Sequence, residues 1–437
     1  MTHFRLASER VKAKCSAERD GPGRPSPGRR SSARATARSR SRGLCAALTR
    51  LSLALGLCVV GCGAPQVPRS SLTVAMALFP GEAIVYRKIL ADFESVSGTR
   101  VQLVTETYGD ILHLLQAESG AGRGRFDLVE LDIATLGQAR DDVRELEPSL
   151  LATERKLFPA AAWRVGVIAN QLYFVPHRIM WQAMIYNRLR VPHPPADWEE
   201  LARFVRAHPG KLAIKGALYE GVLCDVAPFV WEAGGSVLQP TSTDTLTGLD
   251  FLAGLAPGLN PRSAVFREMS VLEAQARGEV WIHFNWPFAM TYLHDKGLAP
   301  LVDLSAPIPA GPKGRATVLG GGYLAIPRSA PHPDSAQLFL RFLLTSDVQQ
   351  RLVSELGWQN ALPIKRDAQA ALLYGGFSAM RPYMRARPTV PDYQALSNRW
   401  QRALAAILFA DTPAVVALKP VTAWVEGLPY ESVRPAS

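Results

Sequence analysis

Two aromatic residues with turn-forming neighbours are the first candidates for a binding site. Trp286 precedes Pro287 and Tyr323 follows three consecutive glycines, so in both places the backbone is expected to turn and direct the side chain into a cleft. An aromatic face binds an apolar ligand face by stacking. Both residues are therefore predicted to contact a ligand, with an ordinary core position as the alternative for Trp286. Trp281 lies inside an apolar run and is predicted to be core.

Four charged residues could add paired hydrogen bonds to such a site. Asp132 ends an apolar strand, at the edge where open α/β sheets bind their ligands, although a helix N-cap is an equal alternative. Glu220 and Arg387 could bind ligand hydroxyls or be surface charges. Glu82 lies in the first strand-to-helix turn, where it would contact either a ligand or the helix dipole.

Catalytic motifs are missing from the sequence. It contains no Gly-x-Ser-x-Gly, His-Glu-x-x-His or phosphate-binding Gly-x-x-x-x-Gly-Lys-Ser/Thr pattern, and its eight histidines lack metal-ligand spacing. We therefore predict no catalytic residue, no metal and no cofactor. A carboxylate pair for glycoside hydrolysis stays open, because the separation of such a pair is spatial.

The elements that would position these residues alternate between strands and helices. Apolar patterns predict strands at Leu72–Leu78, Val101–Thr105 and Phe126–Leu131, separated by helices at Glu82–Val96 and Asp110–Glu118. This β-α-β-α-β order predicts an α/β fold with a largely parallel sheet.

The alternation continues through the rest of the chain. Strands are predicted at Gln171–Val175 and Met184–Asn187, and helices are predicted to start near Pro195, at Pro333 and at Asp347. No internal repeat or low-complexity linker interrupts residues 72–430. Two lobes that share several chain crossings are therefore favoured over two separate domains.

The positive charge of the chain is confined to its first residues. The 437 residues carry a formal net charge of +11, but residues 1–61 contain 13 of the 49 Lys and Arg and only 3 of the 38 acidic residues. Residues 62–437 are therefore nearly neutral, and the basic composition predicts no nucleic-acid partner. Residues 21–43 are rich in Arg, Ser, Pro and Gly and are expected to be disordered.

The leader ends in a pattern that resembles the lipobox of bacterial lipoproteins. The uncharged run from Leu51 to Gly61 has eleven residues, against about 20 for a membrane-spanning helix, and it leads into Val59-Val60-Gly61-Cys62. The resemblance implies removal of residues 1–61 and lipidation of Cys62. Cys224 would then be the remaining cysteine, and it is predicted to be a buried apolar residue.

Short motifs over residues 72–425 resemble the extracellular solute-binding proteins of bacterial ABC sugar importers, in the trehalose- and maltose-binding branch. The motifs are Phe126-Asp127-Leu128-Val129-Glu130-Leu131-Asp132, Ile185-Tyr186-Asn187, Tyr219-Glu220-Gly221, Trp231-Glu232-Ala233-Gly234-Gly235, Asn285-Trp286-Pro287, Gly320-Gly321-Gly322-Tyr323 and Arg387-Pro388. Where such relatives often have Gly-Gly-Trp, this chain has Gly322-Tyr323, so one stacking surface is expected to be smaller.

The resemblance implies a type II periplasmic-binding-protein fold with the ligand in the cleft between two lobes. It adds Tyr219 to the expected ligand-binding residues, and it implies a carbohydrate ligand, permease partners in the membrane, and a lipid-anchored position on the outer face of that membrane. The expected organisation is a leader (1–61), a linker (62–71), a first lobe (72–178 plus 305–360) and a second lobe (182–300 plus 364–430). Hinges are expected near Val175–Trp181, Leu301–Pro309 and Gln359–Ile364. A sensor or adhesion lipoprotein with the same fold is the main alternative.

Overall fold

The computed structural model describes residues 71–122, 124–151, 155, 158–295, 302–356, 358 and 368–428. The predicted leader, Cys62, the linker before Ser71 and the hinge at Gln359–Ile364 lie outside the described residues. Within these residues, no helix is both long and apolar enough to cross a membrane.

Strands and helices alternate along the described chain. In chain order the strands are β1 (Ser71–Met76), β2 (Arg100–Thr105), β3 (Leu128–Asp132), β4 (Val167–Ile168), β5 (Gln171–Leu172), β6 (Val175–Trp181), β7 (Ala183–Asn187), β8 (Leu212–Ala213), β9 (Ile282–Asn285), β10 (Asp303–Ala306), β11 (Thr317–Ala325) and β12 (Met384–Arg385). The helices are α1 (Pro80–Ser97), α2 (Tyr108–Ala121), α3 (Leu136–Ala139), α4 (Ala160–Val165), α5 (Trp198–Ala207), α6 (Glu220–Glu232), α7 (Thr243–Leu255), α8 (Glu268–Ala276), α9 (Phe288–Asp295), α10 (Pro333–Leu343), α11 (Ser346–Leu356), α12 (Ala368–Leu373), α13 (Gly375–Met380), α14 (Tyr393–Phe409), α15 (Ala414–Ala417) and α16 (Lys419–Glu426).

The first five major elements confirm the predicted β-α-β-α-β order. β1 pairs in parallel with both β2 and β3. α1 ends at Gly98, whose φ of 70° suits a residue without a Cβ atom, and α2 begins where the Thr107 side chain accepts a hydrogen bond from the backbone N–H of Asp110. These local stop and start signals explain why the element boundaries follow from the sequence.

A six-stranded sheet is completed by strands from distant parts of the chain. Its order is β12-β11-β3-β1-β2, and β6 also pairs with β11. β11 runs antiparallel to both β3 and β6, so it joins the parallel unit to the rest of the sheet. The single strand predicted at Gln171–Val175 is divided in the structure. Gln171–Leu172 forms the β4–β5 hairpin, whereas Val175 begins β6, because the backbone N–H groups of Tyr173 and Phe174 both donate to Gly166.

A second sheet has the order β10-β7-β9-β8. The chain passes from the six-stranded sheet to this one at Gln182, between β6 and β7, and it returns through residues 307–316, between β10 and β11. The expected hinge at Val175–Trp181 is thus strand β6, with the change of sheet just after it. β10 pairs with β7, and β12 pairs with β11. Residues 305–306 and 384–385 therefore each pair with the sheet of the other predicted lobe.

Two smaller expectations have different outcomes. Cys224 is buried in α6, as predicted. The helix predicted to start at Asp347, with this residue as its cap, begins one residue earlier at Ser346, so Asp347 lies in its first turn.

Hydrogen bonds to Glu232, at the end of α6, hold the segment 307–316 that connects the two sheets. Its carboxylate accepts hydrogen bonds from the Ala316 N–H (3.0 Å) and the Trp198 Nε1–H (2.9 Å), and its carbonyl accepts one from the Lys313 N–H (2.7 Å). The residue is only 1% exposed. Burial raises the pKa of Glu232 to about 8, although these hydrogen bonds and the charges of Arg315 and Arg385 act to lower it.

Glu232 is expected to make the protein less stable as the pH rises from about 5 to 8. Its pKa is about 8 when folded, against an ordinary value of 4.5, so folding binds a proton in this window. The stabilisation is complete below the unfolded pKa and is lost as the pH rises through the folded one, by at most about 1.4 kcal/mol per pH unit. Urea unfolding of residues 63–437 between pH 5 and 9 would measure it. Glu232→Gln should remove this component of the slope, and an unchanged slope in that variant would contradict the assignment.

Candidate functional site

Three consecutive glycines in β11 create the space in which the candidate residues meet. A Cβ atom on Gly322 would lie 2.4 Å from Glu130 Oε1 and 2.6 Å from the Tyr108 hydroxyl oxygen. A Cβ on Gly321, whose φ is 132°, would lie 1.8 Å from the Arg178 carbonyl oxygen. Glycine is therefore required by close approach at both positions. Gly322 also pairs in register with Asp132 on β3 and with Arg178 on β6.

Trp286 lies against the same run of glycines. It follows β9 in the four-stranded sheet, and its ring reaches β11 of the six-stranded sheet, where a Cβ on Gly320 would lie 2.9 Å from ring atoms Cη2 and Cζ3. The ring is half-buried, and the Trp286 N–H donates to Asn285 Oδ1 at 2.9 Å. One partly exposed aromatic face is thus held where the two sheets meet.

Tyr323 does not take the position expected from the sequence. It is fully buried, and its hydroxyl donates to the Ala162 carbonyl of α4 at 2.9 Å. Successive side chains in a strand point to opposite faces, so Tyr323 points away from the face on which Gly320 and Gly322 meet Trp286 and Glu130. A ring without exposed surface offers no stacking face. The prediction that Tyr323 stacks on a ligand is corrected to a core role.

Glu220, at the start of α6, accepts hydrogen bonds from three side chains. Glu220 Oε1 accepts hydrogen bonds from Arg387 Nη1 (2.5 Å) and the Tyr393 hydroxyl (2.6 Å), and Oε2 accepts one from the Ser397 hydroxyl. Its side chain remains 31% exposed, whereas that of Arg387 is 5% exposed. The predicted residues Glu220 and Arg387 therefore form one ion pair, fixed by Tyr393 and Ser397 at the start of α14.

Asp132 performs the helix-capping role that was its alternative assignment. Its Oδ1 accepts a hydrogen bond from the Ala134 N–H at 2.7 Å. Burial raises the pKa of Asp132, Arg387 acts in the opposite direction, and Glu220 and Glu130 raise it further. The charges of Glu220 and Arg387 therefore act on Asp132. The hydrogen bond to Ala134 uses only one carboxylate oxygen, so Asp132 can cap the helix and still accept a hydrogen bond from a ligand.

Glu82 is engaged within the six-stranded lobe. Its Oε2 accepts a hydrogen bond from the Phe79 N–H (2.9 Å) at the start of α1, and its Oε1 accepts one from Trp358 Nε1 (2.8 Å). Arg178 Nη1 lies 3.5 Å from Glu82 Oε2, and the Arg178 guanidinium lies 4.0 Å above the Trp358 ring. The helix-start alternative for Glu82 is therefore observed, together with an ion pair that the sequence did not predict.

A buried polar chain continues from Arg178 to α1. Glu130 Oε1 lies 3.0 Å from His177 Nδ1, and His177 Nε2 lies 3.1 Å from the Tyr86 hydroxyl. Burial would raise the pKa of Glu130, but Arg178 and His177 hold it below its usual range. Glu130, His177 and Arg178 were missed in the sequence analysis. The available signal was charged or polar side chains inside the apolar strands Leu128–Asp132 and Val175–Trp181.

Tyr219 and Trp281 are the two remaining aromatic candidates. The Tyr219 ring lies 4.5 Å from the Arg267 guanidinium and folds over Gly221, so it is half-buried beside Glu220. Trp281 precedes β9, at the opposite end of the strand from Trp286. It is half-buried rather than fully core, with Lys211 Nζ 5.1 Å from its ring.

These residues of the described chain provide neither a metal site nor the lining of a cavity at the end of α1. Over the described ranges, His, Cys, Asp and Glu side chains do not form a group of three that could hold a metal ion. A cavity of about 430 Å³ lies at the end of α1 and contains none of the residues above; it is lined by Ala91, Glu94, Ser95, Gly98, Thr99 and Arg100.

Comparison with known families identifies the class of protein. The family described as bacterial extracellular solute-binding protein matches residues 88–375, which is more than half of the chain. The chain belongs to this family. Its members are extracellular solute-binding proteins, so the family-level function is solute binding rather than catalysis.

Solved structures share the fold of this solute-binding protein. The maltose-bound MalE3 of T. maritima is 21% identical with a TM-score of 0.69, and the match covers 82% of this chain and 99% of that one. A solute-binding protein from Thermotoga lettingae bound to α-D-tagatose is 19% identical (TM-score 0.69; 84% and 100% covered). The sugar-binding protein MalE from Xanthomonas citri is 17% identical (TM-score 0.70; 83% and 97% covered). At these identities the likeness establishes the two-lobe periplasmic-binding-protein fold.

Proposed function

We propose that this protein binds a carbohydrate, a disaccharide of the trehalose or maltose type, and delivers it to the permease subunits of an ABC importer. The observation that carries the proposal is the half-buried Trp286 ring lying over the glycines of β11. The Glu220–Arg387 pair and Asp132 add hydrogen-bonding groups. Relatives with this fold have been solved with maltose and tagatose, which supports the same class of ligand here.

The chemistry of this set of residues suits a sugar ring. A sugar has an apolar C–H face, which stacks on an aromatic ring, and hydroxyls, which both donate and accept hydrogen bonds. Glu220 and Asp132 supply acceptors, whereas Arg387 supplies donors in a fixed planar arrangement. Tyr219, beside Glu220, is proposed as a second aromatic wall.

Delivery requires a difference between the free and the loaded protein. Among the described residues, the chain changes sheets at Gln182 and at residues 307–316, and we propose these connections as hinges for a rotation of one sheet against the other. We propose that the ligand stabilises a closed arrangement and that the permease recognises this form. Cleft closure follows from a higher affinity for the closed state.

A thermal-shift screen tests the proposed ligand class. Purified residues 63–437 would be heated with a panel of mono- and disaccharides, because a ligand that binds only the folded state raises the melting temperature by mass action. A rise with maltose, trehalose or a related sugar is expected. If no carbohydrate in the panel shifts the transition, the proposed ligand class is wrong.

Attachment to the membrane through Cys62 is a further part of the proposal. Since the apolar run before Cys62 is too short to span a bilayer, we expect cleavage before this residue and addition of lipid chains to it; two lipid anchors are needed for stable attachment. Mass spectrometry of the membrane-bound protein should find a lipidated N-terminal Cys62. Cys62→Ala should yield unprocessed or released protein. Wild-type protein that is washed from membranes with residues 1–61 attached would contradict this prediction.

A further inference from the structure

The candidate site contains more carboxylates than cations. Its carboxylates are Glu82, Glu130, Asp132 and Glu220, and its cations are Arg178 and Arg387. Both guanidinium groups are already engaged. Arg178 lies 3.5 Å from Glu82 and 3.8 Å from Glu130, and Arg387 donates to Glu220. Among the described residues of the site, Arg178 is therefore shared between two carboxylates, and Asp132 has no cation within ion-pair distance.

The same site contains buried donors that are not used. Arg178 and Arg387 are 6% and 7% exposed, and the Nε atom of each has no hydrogen-bond partner within the described part of the chain. The Tyr108 hydroxyl, which lies against Gly322, also has none. Unsatisfied buried polar atoms are costly, so these atoms indicate that a ligand or water supplies their acceptors.

These two observations restrict the charge of the solute. The unused Nε donors require acceptor atoms. An anionic acceptor would be repelled by the carboxylates of the site, which outnumber its cations. A protonated amine would suit the carboxylates, but it has no lone pair for the arginine donors. A hydroxyl group satisfies both requirements, because it accepts from a guanidinium and donates to a carboxylate.

We propose that the site selects uncharged polyhydroxyl solutes and excludes sugars with a carboxylate or phosphate group, and that Asp132 enforces this exclusion. The inference rests on the proposed carbohydrate function and specifies its substrate class. Asp132 is singled out because it has no direct ion-pair partner among the described residues, whereas Glu82, Glu130 and Glu220 each have one. The raised pKa of Asp132, caused first by burial, agrees with a carboxyl group whose charge is poorly compensated.

Calorimetric titration of residues 63–437 with two matched pairs of sugars tests the inference. The pairs are trehalose with trehalose 6-phosphate, and glucose with glucuronate. A negative charge about 6 Å from a carboxylate that has no ion-pair partner, at an effective dielectric constant of about 20, lowers affinity about a hundredfold. We therefore expect the neutral member of a pair to bind at least about a hundredfold more tightly.

The variant Asp132→Asn separates charge from structure. Asn also caps helices, so the hydrogen bond to Ala134 is retained while the charge is removed. The neutral-to-anionic affinity ratio should fall at least about tenfold. Asp141→Asn, at an 82% exposed side chain, is the matched control and should leave the ratio unchanged, because solvent screens its charge.

The possible outcomes distinguish the inference from the function on which it rests. Equal or tighter binding of an anionic sugar overturns the inference but supports carbohydrate binding. An unchanged ratio in Asp132→Asn overturns the role of Asp132. If none of the four sugars binds and no sugar of the thermal-shift panel does, the proposed carbohydrate function is contradicted and the inference fails with it.

Discussion

Asp225→Asn is expected to lower the free energy of unfolding by about 3–5 kcal/mol, the usual cost of leaving a buried charge without its partner. Asp225 in α6 and Lys215 are both fully buried and form an ion pair. The Lys215 ammonium also donates to the Phe284 carbonyl at 2.6 Å, and Gln182 Nε2 donates to Asp225 at 3.2 Å. Asn would leave the buried ammonium charge of Lys215 without a counter-charge. Urea denaturation at pH 7 would measure the loss.

The double variant Lys215→Met with Asp225→Asn is the control for this prediction. It removes both charges, while the Asn oxygen still accepts from the residue 215 N–H, which lies 2.8 Å from Asp225 Oδ2 in the wild type. Most of the lost stability should return, because replacing a complete buried ion pair costs far less than breaking it. If the double variant is as unstable as Asp225→Asn, packing rather than charge explains the effect.

Trp286→Ala is expected to weaken binding of a confirmed sugar about thirtyfold, which corresponds to about 2 kcal/mol. The half-buried Trp286 ring extends from the end of β9 to Gly320 in β11. Replacement with Ala removes this aromatic stacking surface. The loss should be in affinity, since a half-buried ring contributes less to folding than a core residue. Isothermal titration calorimetry with the sugar found by thermal shift would measure it.

Trp281→Ala is the matched control for Trp286→Ala. Trp281 is also half-buried and lies at the other end of β9, where it contacts Lys211 and Arg190 rather than the glycines of β11. Its removal should lower the melting temperature without changing the affinity of the folded fraction. If Trp281→Ala abolishes binding while Trp286→Ala does not, the two assignments are reversed and the site lies on the other side of the four-stranded sheet.

The regular elements could be predicted because their signals are local. Helix α1, predicted over Glu82–Val96, is observed over Pro80–Ser97 and ends at the Gly98 stop signal. The apolar spacing predicts a buried face of Val85, Ile89, Phe93 and Val96. Ile89 and Phe93 are buried, but Val96 is 75% exposed, whereas Tyr86 is fully buried. The spacing of apolar residues could not indicate that the buried Tyr86 hydroxyl forms a hydrogen bond with His177, which is 91 residues away in the chain.

The candidate site was only partly predictable because strand register and ion pairing are not local. Glu220 and Arg387 were named separately, and only the fold brings α6 next to the segment before α14. Tyr323 was assigned to the wrong face because the sequence does not reveal which residues of β11 oppose Trp286. That choice depends on the pairing of β11 with β3 and β6, strands more than 130 residues earlier in the chain.

The environment of Cys224 makes the exported chain suitable for thiol-directed labelling. Cys224 is 2% exposed within α6, and burial raises the pKa of its thiol, so at neutral pH it is neither accessible nor ionised. Residues 63–437 contain no other cysteine. A cysteine introduced at one exposed position near each sheet would therefore react selectively with a dye, without removal of a native residue. Energy transfer between two such dyes would report the separation of the lobes in single molecules as solute is added.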